Sequence, residues 1–199
     1  MNKKVIVRQI DELLKPLGLV RRGSVWNGCT NNIVKVIDVQ VSKIDDSITL
    51  NVGVLDPEVF WILWGKEPEP VVQVPSCTVH TRIGTLIDDR DVWWPLSDPE
   101  TARRINEATA KYILPFVQKM CSREQMMGWL SSKKILRRRD PPSMLSLAII
   151  QHLLGKESEA RSTLEEQQKK ALGAWREGAA EVAGRLGYSV NPHDANLKV

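Results

Sequence analysis

Hydrophobic positions near the start of the chain recur at helical spacing and then change to alternation. The helical stripe comprises Ile6, Ile10, Leu13, Leu14 and Leu17. Pro16 and Gly18 end this run, so the spacing predicts an amphipathic helix over residues 3 to 15. Residues 19 to 29 and 33 to 42 then carry strand-like patterns with turn residues between them. They predict a first strand or strand pair, followed by a second strand.

The segment VIDVQVSKIDDSITLNVGV, residues 36 to 54, predicts a β-hairpin whose turn lies at KIDDS. The aliphatic residues have odd numbers on the first strand and even numbers on the second. They share one buried face only if each odd-numbered residue of the first strand faces an even-numbered residue of the second. That register places Asp38 opposite Asn51. It also places Gln40 opposite Thr49, so the reverse side of the hairpin carries a polar set.

Further elements follow the hairpin up to about residue 131. The pattern predicts a short aromatic helix from Pro57 with Asp56 as its N-cap. An extended proline-rich connection then leads to a strand over 77 to 87. A long helix capped by Ser97 or Asp98 follows, and after it a short helix from Ser122 to about Leu130. The long helix contains Pro115, which lacks a backbone donor, so we expect a kink or a division there.

The segment SSKKILRRRDPP interrupts these patterns and predicts a domain boundary. We assign residues 1–131 to an α+β domain, 132–142 to a basic linker, 143–187 to a helical hairpin and 188–199 to a C-terminal tail. The hairpin is predicted as helices over 144 to 154 and 158 to 186, joined at Gly155. A single hairpin cannot bury its apolar faces alone. We therefore expect it to pack on the main domain, on its own continuation, or on a second copy in a homo-oligomer.

These elements together predict an α+β fold with an antiparallel sheet of about four strands, helices packed on one face and a C-terminal helical hairpin. A chain of 199 residues with 42% hydrophobic content buries one sizeable core. Its longest apolar stretch, MLSLAII, is too short to cross a bilayer, so we expect neither export nor membrane insertion. Cys29, Cys77 and Cys121 form no C-x-x-C pair. This usage is typical of a reducing cytoplasm and argues against structural zinc, and we expect no cofactor.

Tryptophan is the most frequent aromatic residue. Seven tryptophans supply most of the aromatic area of a chain that has two Phe and two Tyr. We expect most of them to pack in the core. Trp93 and Trp94 are adjacent just before a helix cap, so we expect them to face in different directions, with one of them exposed.

Six segments resemble those of a known family. They are KPLGLVRRGSVW (15–26), VIDVQVSK (36–43), SITLNVGV (47–54), HTRIG (80–84), WWPL (93–96) and YILPF (112–116). In this order they are similar to an uncharacterised bacterial family catalogued as a domain of unknown function, with segments like KPLGF, GSTW, NLQKS, FTLNLGV, RIG and LPF. The resemblance covers residues 5 to 121 and implies a compact cytoplasmic α+β domain without an established activity, substrate or catalytic residue. The chain departs from the pattern at Asp38, where the family tends to Asn.

The polar face of the predicted sheet is the first candidate site. The strand over 77 to 87 places His80 and Arg82 on one side. If that side continues the polar set of the hairpin, one surface gathers the candidate binding residues Asp38, Gln40, Thr49, Asn51, His80 and Arg82. Such a surface fits a peptide terminus or another anionic group, with Arg82 as a two-pronged donor. The alternative is a solvated side of an antiparallel sheet, on which Asp38 and Arg82 pair.

The basic run is the second candidate site. It carries five positive charges, on Lys133, Lys134, Arg137, Arg138 and Arg139. Because the net charge of the whole chain is +4, the remaining residues are slightly acidic. The basic residues of the run fit contacts with nucleic-acid phosphates, whose strength falls steeply with salt. The helices that follow carry acidic residues where a base-reading helix needs Arg, Asn or Gln. A solvated linker is therefore the interpretation that we favour.

The pattern gives little support for catalytic chemistry. Cys77 and His80 have opposite parity on one predicted strand, so we expect them to point to opposite faces. The three histidines share no metal-ligand spacing, and no glycine-rich phosphate loop or nucleophile motif occurs. We predict a non-catalytic, cytoplasmic bacterial module that binds another protein. Nucleic-acid association, and an enzyme of unrecognised type that uses His80, Asp38 and Arg82, stay open as alternatives.

Overall fold

The structure is a computed structural model, and it describes residues 3–138, 140–170 and 172–188. The side chains of Lys134, Arg137 and Arg138 lie outside this description. Within the described ranges, no helix has both the length and the apolar character that a membrane span requires.

The chain forms two compact units. The first comprises the residues up to Pro57 together with Pro68–Cys121, and the second comprises Glu58–Glu67 together with the residues from Ser122 on. These bounds differ from those of the predicted domains 1–131 and 143–187, because the aromatic helix after Asp56 belongs with the C-terminal helices. In the second unit, the ring of Trp64 meets that of Trp175 edge-on, with 5.9 Å between the ring centroids.

One antiparallel sheet forms the centre of the first unit. Its strands in the described residues are β1 (Val20–Arg22), β2 (Val25–Thr30), β3 (Ile33–Val41), β4 (Ser47–Leu55), β5 (Val79–Arg82) and β6 (Trp94–Pro95). They lie in the order β1-β2-β3-β4-β5, and β6 pairs with β4 along the same edge as β5. The described sheet therefore has six strands. The number exceeds the expected four because residues 19 to 29 form the strand pair of the two predicted alternatives, with a turn at Gly23 at a φ of 68°, and because β6 adds a short pairing.

The α+β fold class is confirmed by the helices that accompany this sheet. In chain order the described α-helices are α1 (Lys3–Leu14), α2 (Pro57–Trp64), α3 (Ile83–Asp88), α4 (Thr101–Ala108), α5 (Leu114–Lys119), α6 (Arg123–Leu130), α7 (Lys133–Arg138), α8 (Pro141–Leu153), α9 (Glu157–Lys170) and α10 (Ala174–Arg185). A π-helical turn, Thr109–Ile113, joins α4 to α5 just before Pro115. This division was predicted, because proline supplies no N–H to the carbonyl four residues earlier.

The hairpin of β3 and β4 has the predicted register. Asp38 lies opposite Asn51, and Gln40 lies opposite Thr49. Aliphatic side chains on the other face of the sheet, such as Ile37, have no exposed area. The buried aliphatic set and the polar set are thus on opposite faces, as the alternation predicts.

Helix α1 packs on the aliphatic face. Its side chains Ile6, Ile10 and Leu14 are fully buried. Trp26 of β2 lies on this face and donates from Nε1 to a carboxylate oxygen of Asp11 in α1 at 2.7 Å. Burial contributes about 1.5–3 kcal/mol for each such aliphatic side chain. The core of the first unit therefore lies on this face, and the polar set points away from it.

Two predicted elements end at different places in the structure. The strand expected over 77–87 ends at Arg82, and α3 takes up the next six residues. The short apolar run IGTLI fits either periodicity, so only its packing decides between strand and helix. The predicted second helix of the C-terminal hairpin is two helices, α9 and α10. Gly173 lies between them at a φ of 54°, a left-handed conformation that ends a helix.

Candidate functional site

Two loop segments cover part of the sheet face that points away from α1. We call residues 68–77 the proline strap and residues 89–93 the Asp91 loop. The side chain of Asn27 in β2 donates to the carbonyl oxygen of Val72 in the strap at 3.0 Å and accepts from its N–H at 2.7 Å. Val36 of β3, on this face, is fully buried. This part of the face is therefore packed and not solvated.

Cys77 closes the proline strap against β4. It contacts Gly53, where a Cβ would lie 2.6 Å from the cysteine sulfur. Gly53 faces His80 in the sheet, so Cys77 and His80 lie on the same face, and the prediction of opposite faces is wrong. The reason is that Cys77 precedes β5, so strand parity does not apply to it. Burial raises the pKa of the Cys77 thiol, which disfavours the thiolate that a nucleophile requires.

The Asp91 loop covers the other end of this face. Thr49 of β4 donates from Oγ1 to the carbonyl oxygen of Val92 at 2.8 Å. At Gly84 of α3, a Cβ would lie 2.2 Å from the carbonyl oxygen of Arg90 and 2.6 Å from the N–H nitrogen of Val92. The loop can therefore lie this close to α3 only because residue 84 has no side chain.

A line of facing residues crosses the sheet between the strap and the loop. From β1 to β5 these are Arg22, Val25, Asp38, Asn51 and Arg82. We call Asp38, Asn51 and Arg82, together with Gln40 beside them on β3, the polar row. All four side chains of the polar row are partly exposed. A ligand can therefore reach the polar row, and it can also reach the exposed His80 on the same face.

Asn51 is at the centre of the hydrogen bonds in the polar row. Its amide nitrogen donates to Gln40 Oε1 at 2.9 Å and to Asp38 Oδ2 at 3.3 Å. Its carbonyl oxygen accepts from Arg82 Nε at 3.2 Å. Arg82 Nη2 donates to Gln40 Oε1 at 3.3 Å. One amide therefore connects three strands and helps to fix the position of the guanidinium group.

Arg82 also connects the polar row to the Asp91 loop. Its Nη1 donates to Asp91 Oδ1 at 2.7 Å, and its guanidinium carbon lies 5.1 Å from the ring centroid of Trp93. The hydrogen bond from Arg82, and after it one from Trp93, lowers the pKa of the Asp91 carboxyl group. Trp94 is buried, whereas Trp93 is partly exposed, so the two adjacent rings differ in environment as expected.

Two of the residues predicted for the site do not join the polar row. Thr49 is fully buried and donates to the Asp91 loop. His80 is exposed, and its Nδ1 lies 3.4 Å from the carbonyl oxygen of Cys77. Because His80 faces Gly53, it lies two strands away from Asp38 and outside the line of the polar row. The structure therefore does not bring His80 and Asp38 together as an acid–base pair.

The ion pair between Asp38 and Arg82, which the interpretation as a solvated sheet face predicts, does not form among the described residues. Asn51 lies between the two residues in the sheet, and Arg82 pairs with Asp91 instead. Sequence reasoning missed Asp91 and Trp93 as neighbours of the site, because periodicity assigns no partners to loop residues. The only available signal was a carboxylate close to two tryptophans in DVWW. Within the described ranges, no cluster of three or more His, Cys, Asp or Glu residues could hold a metal ion.

The basic run forms helix α7 in the second unit, so the predicted linker is helical over Lys133–Arg138. Lys133 and Leu136 are exposed, and Ile135 is buried. Arg139 lies outside the described residues, as do the side chains of Lys134, Arg137 and Arg138.

The second unit also has an exposed aromatic surface, which we define as Trp61, Trp64 and Trp175. Trp61 and Trp64 of α2 are 47% and 40% exposed. Arg185 of α10 donates from Nη1 to two carbonyl oxygens near the end of α2, at 2.9 and 3.0 Å. Exposed tryptophan is a common anchor in protein interfaces. No sequence pattern predicted this surface, since α2 and α10 are far apart along the chain.

One family model matches residues 10–119, more than half of the 199 residues of the chain. It describes a domain of unknown function, DUF4304. The match includes β1 to β6, and with them the polar row and the Asp91 loop. Neither the curated proteins nor the solved structures gave a match to the chain.

Proposed function

We propose that this chain, which belongs to the DUF4304 family, is a cytoplasmic bacterial protein that binds another protein through its polar row and performs no catalysis. The observation that carries the proposal is the arrangement of Asp38, Gln40, Asn51 and Arg82. They form one hydrogen-bonded group on a sheet face, between two segments that cover the rest of that face.

The polar row supports binding because its side chains are held before a partner arrives. Asn51 and Gln40 fix the Arg82 guanidinium, so less side-chain entropy is lost on association. The row also offers both signs of charge. Among the described residues, the Asp38 carboxylate accepts two long hydrogen bonds, from Asn51 at 3.3 Å and from Ser24 at 3.5 Å, and so keeps acceptor capacity. Such a charge pattern favours specificity for a complementary surface.

The proposed absence of catalysis and the proposed location rest on the chemistry of this face. Cys77 is buried with a raised thiol pKa, and His80 lies apart from Asp38. In the part of the chain that the structure describes, no disulfide joins any of Cys29, Cys77 and Cys121. Cysteines without disulfides are usual in a reducing cytoplasm.

Affinity purification from the source organism tests the proposal. The full chain serves as bait in the wild-type form and as the variants Arg82→Gln and Asn51→Ala, with nuclease treatment of every lysate. We expect a protein recovered in a stoichiometric amount by the wild type and reduced about tenfold or more by either variant, as for a central interface residue. Thermal unfolding of each bait shows whether the variant is folded.

Arg103→Gln is the matched control. Arg103 lies on α4 of the same unit and forms exposed ion pairs with Glu100 and Glu107, so its replacement makes the same charge change away from the polar row. Recovery should be unchanged with this bait. Equal recovery with all baits would contradict a role for the polar row, and equal loss with Arg103→Gln would indicate a general charge effect.

Nucleic-acid association through α7 is the second candidate function. The favouring observation is that residues 133 and 137, and 134 and 138, are four positions apart on a helix, which places four basic residues on neighbouring positions. Binding of the full chain to mixed-sequence DNA and RNA should then fall steeply as salt increases. The double variant Lys133→Gln, Lys134→Gln should bind more weakly and with a smaller salt dependence. The absence of binding at low salt would reject this function.

A further inference from the structure

We propose that Arg82 is a binding site for a carboxylate group of the partner protein, and that Asp91 occupies this site until the partner displaces it. The inference rests on the proposed function, because it names the chemical group that the partner contributes to the polar row. The carboxylate belongs either to an Asp or Glu side chain or to a chain terminus. These two sources share one chemistry, and the experiment below separates them.

Arg82 has donors available for a second carboxylate oxygen. A guanidinium group carries five N–H donors. Nε donates to Asn51, Nη2 donates to Gln40 and Nη1 donates to Asp91. One N–H on each terminal nitrogen therefore has no partner among the described residues. A carboxylate that binds both terminal nitrogens forms two parallel hydrogen bonds with Arg82, whereas Asp91 accepts one from Arg82.

The Arg82 guanidinium is held in place without Asp91. Asn51 and Gln40 accept its hydrogen bonds from the sheet side. Trp93 lies over it, with the guanidinium carbon 5.1 Å from the ring centroid. Each of these three contacts is made to atoms other than the Asp91 carboxylate. An entering carboxylate would thus meet a donor group that needs little rearrangement.

Asp91 can leave the site by rotation of its own side chain. The Arg82 side chain is 31% exposed and the Asp91 side chain 59% exposed, and an ion pair with this exposure is weak. The loop backbone has its own attachment, since Thr49 donates to the carbonyl oxygen of Val92. Asp91 therefore resembles a ligand held within the chain more than a structural support of the loop.

A titration of the full-length, 15N-labelled chain tests the inference. The Nε–H signal of Arg82 is identified by its absence in Arg82→Lys, and its shift is followed on addition of three probes. N-acetylglycine presents a terminal carboxylate, N-acetylaspartate amide presents a side-chain carboxylate, and N-acetylglycinamide presents neither. We expect the carboxylate probes, and not the amide, to shift the signal. Asp91→Asn should bind them about two- to fivefold more tightly, the range set by an exposed ion pair.

Asp88→Asn is the matched control for this titration. Asp88 lies three residues before Asp91 and pairs with Arg90 instead of Arg82, so the charge change is the same while Arg82 keeps its partner. The affinity of this variant should equal that of the wild type. Equal affinity in Asp91→Asn and the wild type would overturn the occupancy of the site by Asp91. A gain of the same size in Asp88→Asn would also overturn it, because the effect would then be general. A signal that no carboxylate shifts, in the wild type or in Asp91→Asn, would overturn the site itself.

The titration separates this inference from the proposed function, because it needs no partner protein. Suppose that the Arg82→Gln bait loses the partner but the Arg82 signal does not respond to carboxylates. The proposed function would then be retained, and the carboxylate site would be rejected. Carboxylate binding at Arg82, combined with undiminished recovery on the Arg82→Gln bait, would retain the site and reject the function. When both hold, the Asp91→Asn bait should recover more of the partner than the wild type does.

Discussion

The polar row of the first unit and the aromatic surface of the second unit are both exposed, but different forces hold them. In the polar row, Asn51 and Arg82 are fixed by directional hydrogen bonds whose geometry follows from strand register. In the aromatic surface, Trp64 and Trp175 meet because α2 and α10 pack together, and apolar contact sets no comparable direction. The comparison shows that strand register can position the side chains of a polar site, while an aromatic surface depends on how separate helices pack.

The two surfaces also differ in the partner that they suit. The polar row offers a guanidinium and a carboxylate at defined positions, which fits recognition of a specific charged group. The aromatic surface offers area without defined donors, apart from its indole N–H groups. A substitution at one surface should therefore change the stability or binding of its own unit and leave the other surface unaffected.

Substitution at Gly84 should give the largest effect. In Gly84→Ala, the new Cβ would lie 2.2 Å from the carbonyl oxygen of Arg90, so the Asp91 loop must move. We expect a loss of about 1–3 kcal/mol or more in the free energy of unfolding, measured in urea. Amide hydrogen exchange should increase in the Asp91 loop and β4.

Gly128→Ala in α6 of the second unit is the control for Gly84→Ala. A Cβ at Gly128 meets no atom within 4 Å. Because alanine favours a helix interior over glycine, we expect a gain of about 0.5–1 kcal/mol in the free energy of unfolding. If both variants change stability in the same direction, the close approach at Gly84 is not the constraint that the structure indicates.

Asn51→Ala should disconnect the polar row. The side chains of Gln40, Asp38 and Arg82 would each lose a hydrogen bond at a partly exposed position. We expect a cost of about 1–2 kcal/mol in the free energy of unfolding, again from urea titration. Hydrogen exchange should increase in β3 to β5 and stay constant in α8 and α9. Arg103→Gln should stay within about 0.5 kcal/mol of the wild type, and a similar cost there would argue against a special role of the row.

A double-mutant cycle should measure the contact within the aromatic surface. Trp64→Ala, Trp175→Ala and the double variant isolate the edge-on pair from the other contacts of each ring. We expect a coupling free energy of about 0.5–1.5 kcal/mol from unfolding titrations. The polar row should be unaffected, as judged by an unchanged Arg82 Nε–H signal. A coupling of zero would mean that the rings do not stabilise each other.

Acidification should give the smallest effect in each unit. The pKa of Asp91 lies below its ordinary value of 3.8, chiefly because Arg82 donates to it. A lowered pKa in the folded state stabilises the fold above the unfolded pKa, and this stability is lost as the pH falls through the folded pKa. Since the Asp91 side chain is 59% exposed, we expect less than about 0.5 kcal/mol, lost below about pH 4. In Asp91→Asn, the free energy of unfolding of the first unit should depend less on pH over this acidic range.

The corresponding group of the second unit is Glu124 in α6. Its pKa is also lowered, first by its own backbone N–H and then by Ser122. As the pH falls, the amides of α6 should lose protection against hydrogen exchange. In Glu124→Gln this loss of protection should be smaller, and the protection of β4 should be unchanged. If either substitution alters both units equally, the two carboxylates do not act locally.

Much of the polar row was predictable from the sequence, and its surroundings were not. The alternation in β3 and β4 predicted that Asp38 faces Asn51, and this register is confirmed. Strand parity placed His80 and Arg82 on one side of their strand and left open whether that side continues the polar set, and in the structure Arg82 contacts Asn51. The same parity failed for Cys77, because the strand begins after it and its position follows from the proline strap.

The C-terminal half shows the same limit. Helical spacing predicted helices there, but it did not predict that Gly173 divides the second of them. It also did not predict that Trp64 and Trp175 meet, because they lie on helices whose packing no local pattern describes. The basic run was expected as a linker, and the structure shows that it contains a helix, α7.

Sequence periodicity was enough to predict which polar side chains are neighbours in the hairpin, because a period of two with one buried face permits a single register. Which of them are accessible depends on the tertiary packing. Thr49 is buried under the Asp91 loop, while Asn51 and Arg82 stay partly exposed beside it. The tertiary packing also decided that Arg82 pairs with Asp91 and not with Asp38. The physical reason is that the path of a loop over a sheet depends on distant contacts, such as the close approach at Gly84, which no local periodicity encodes.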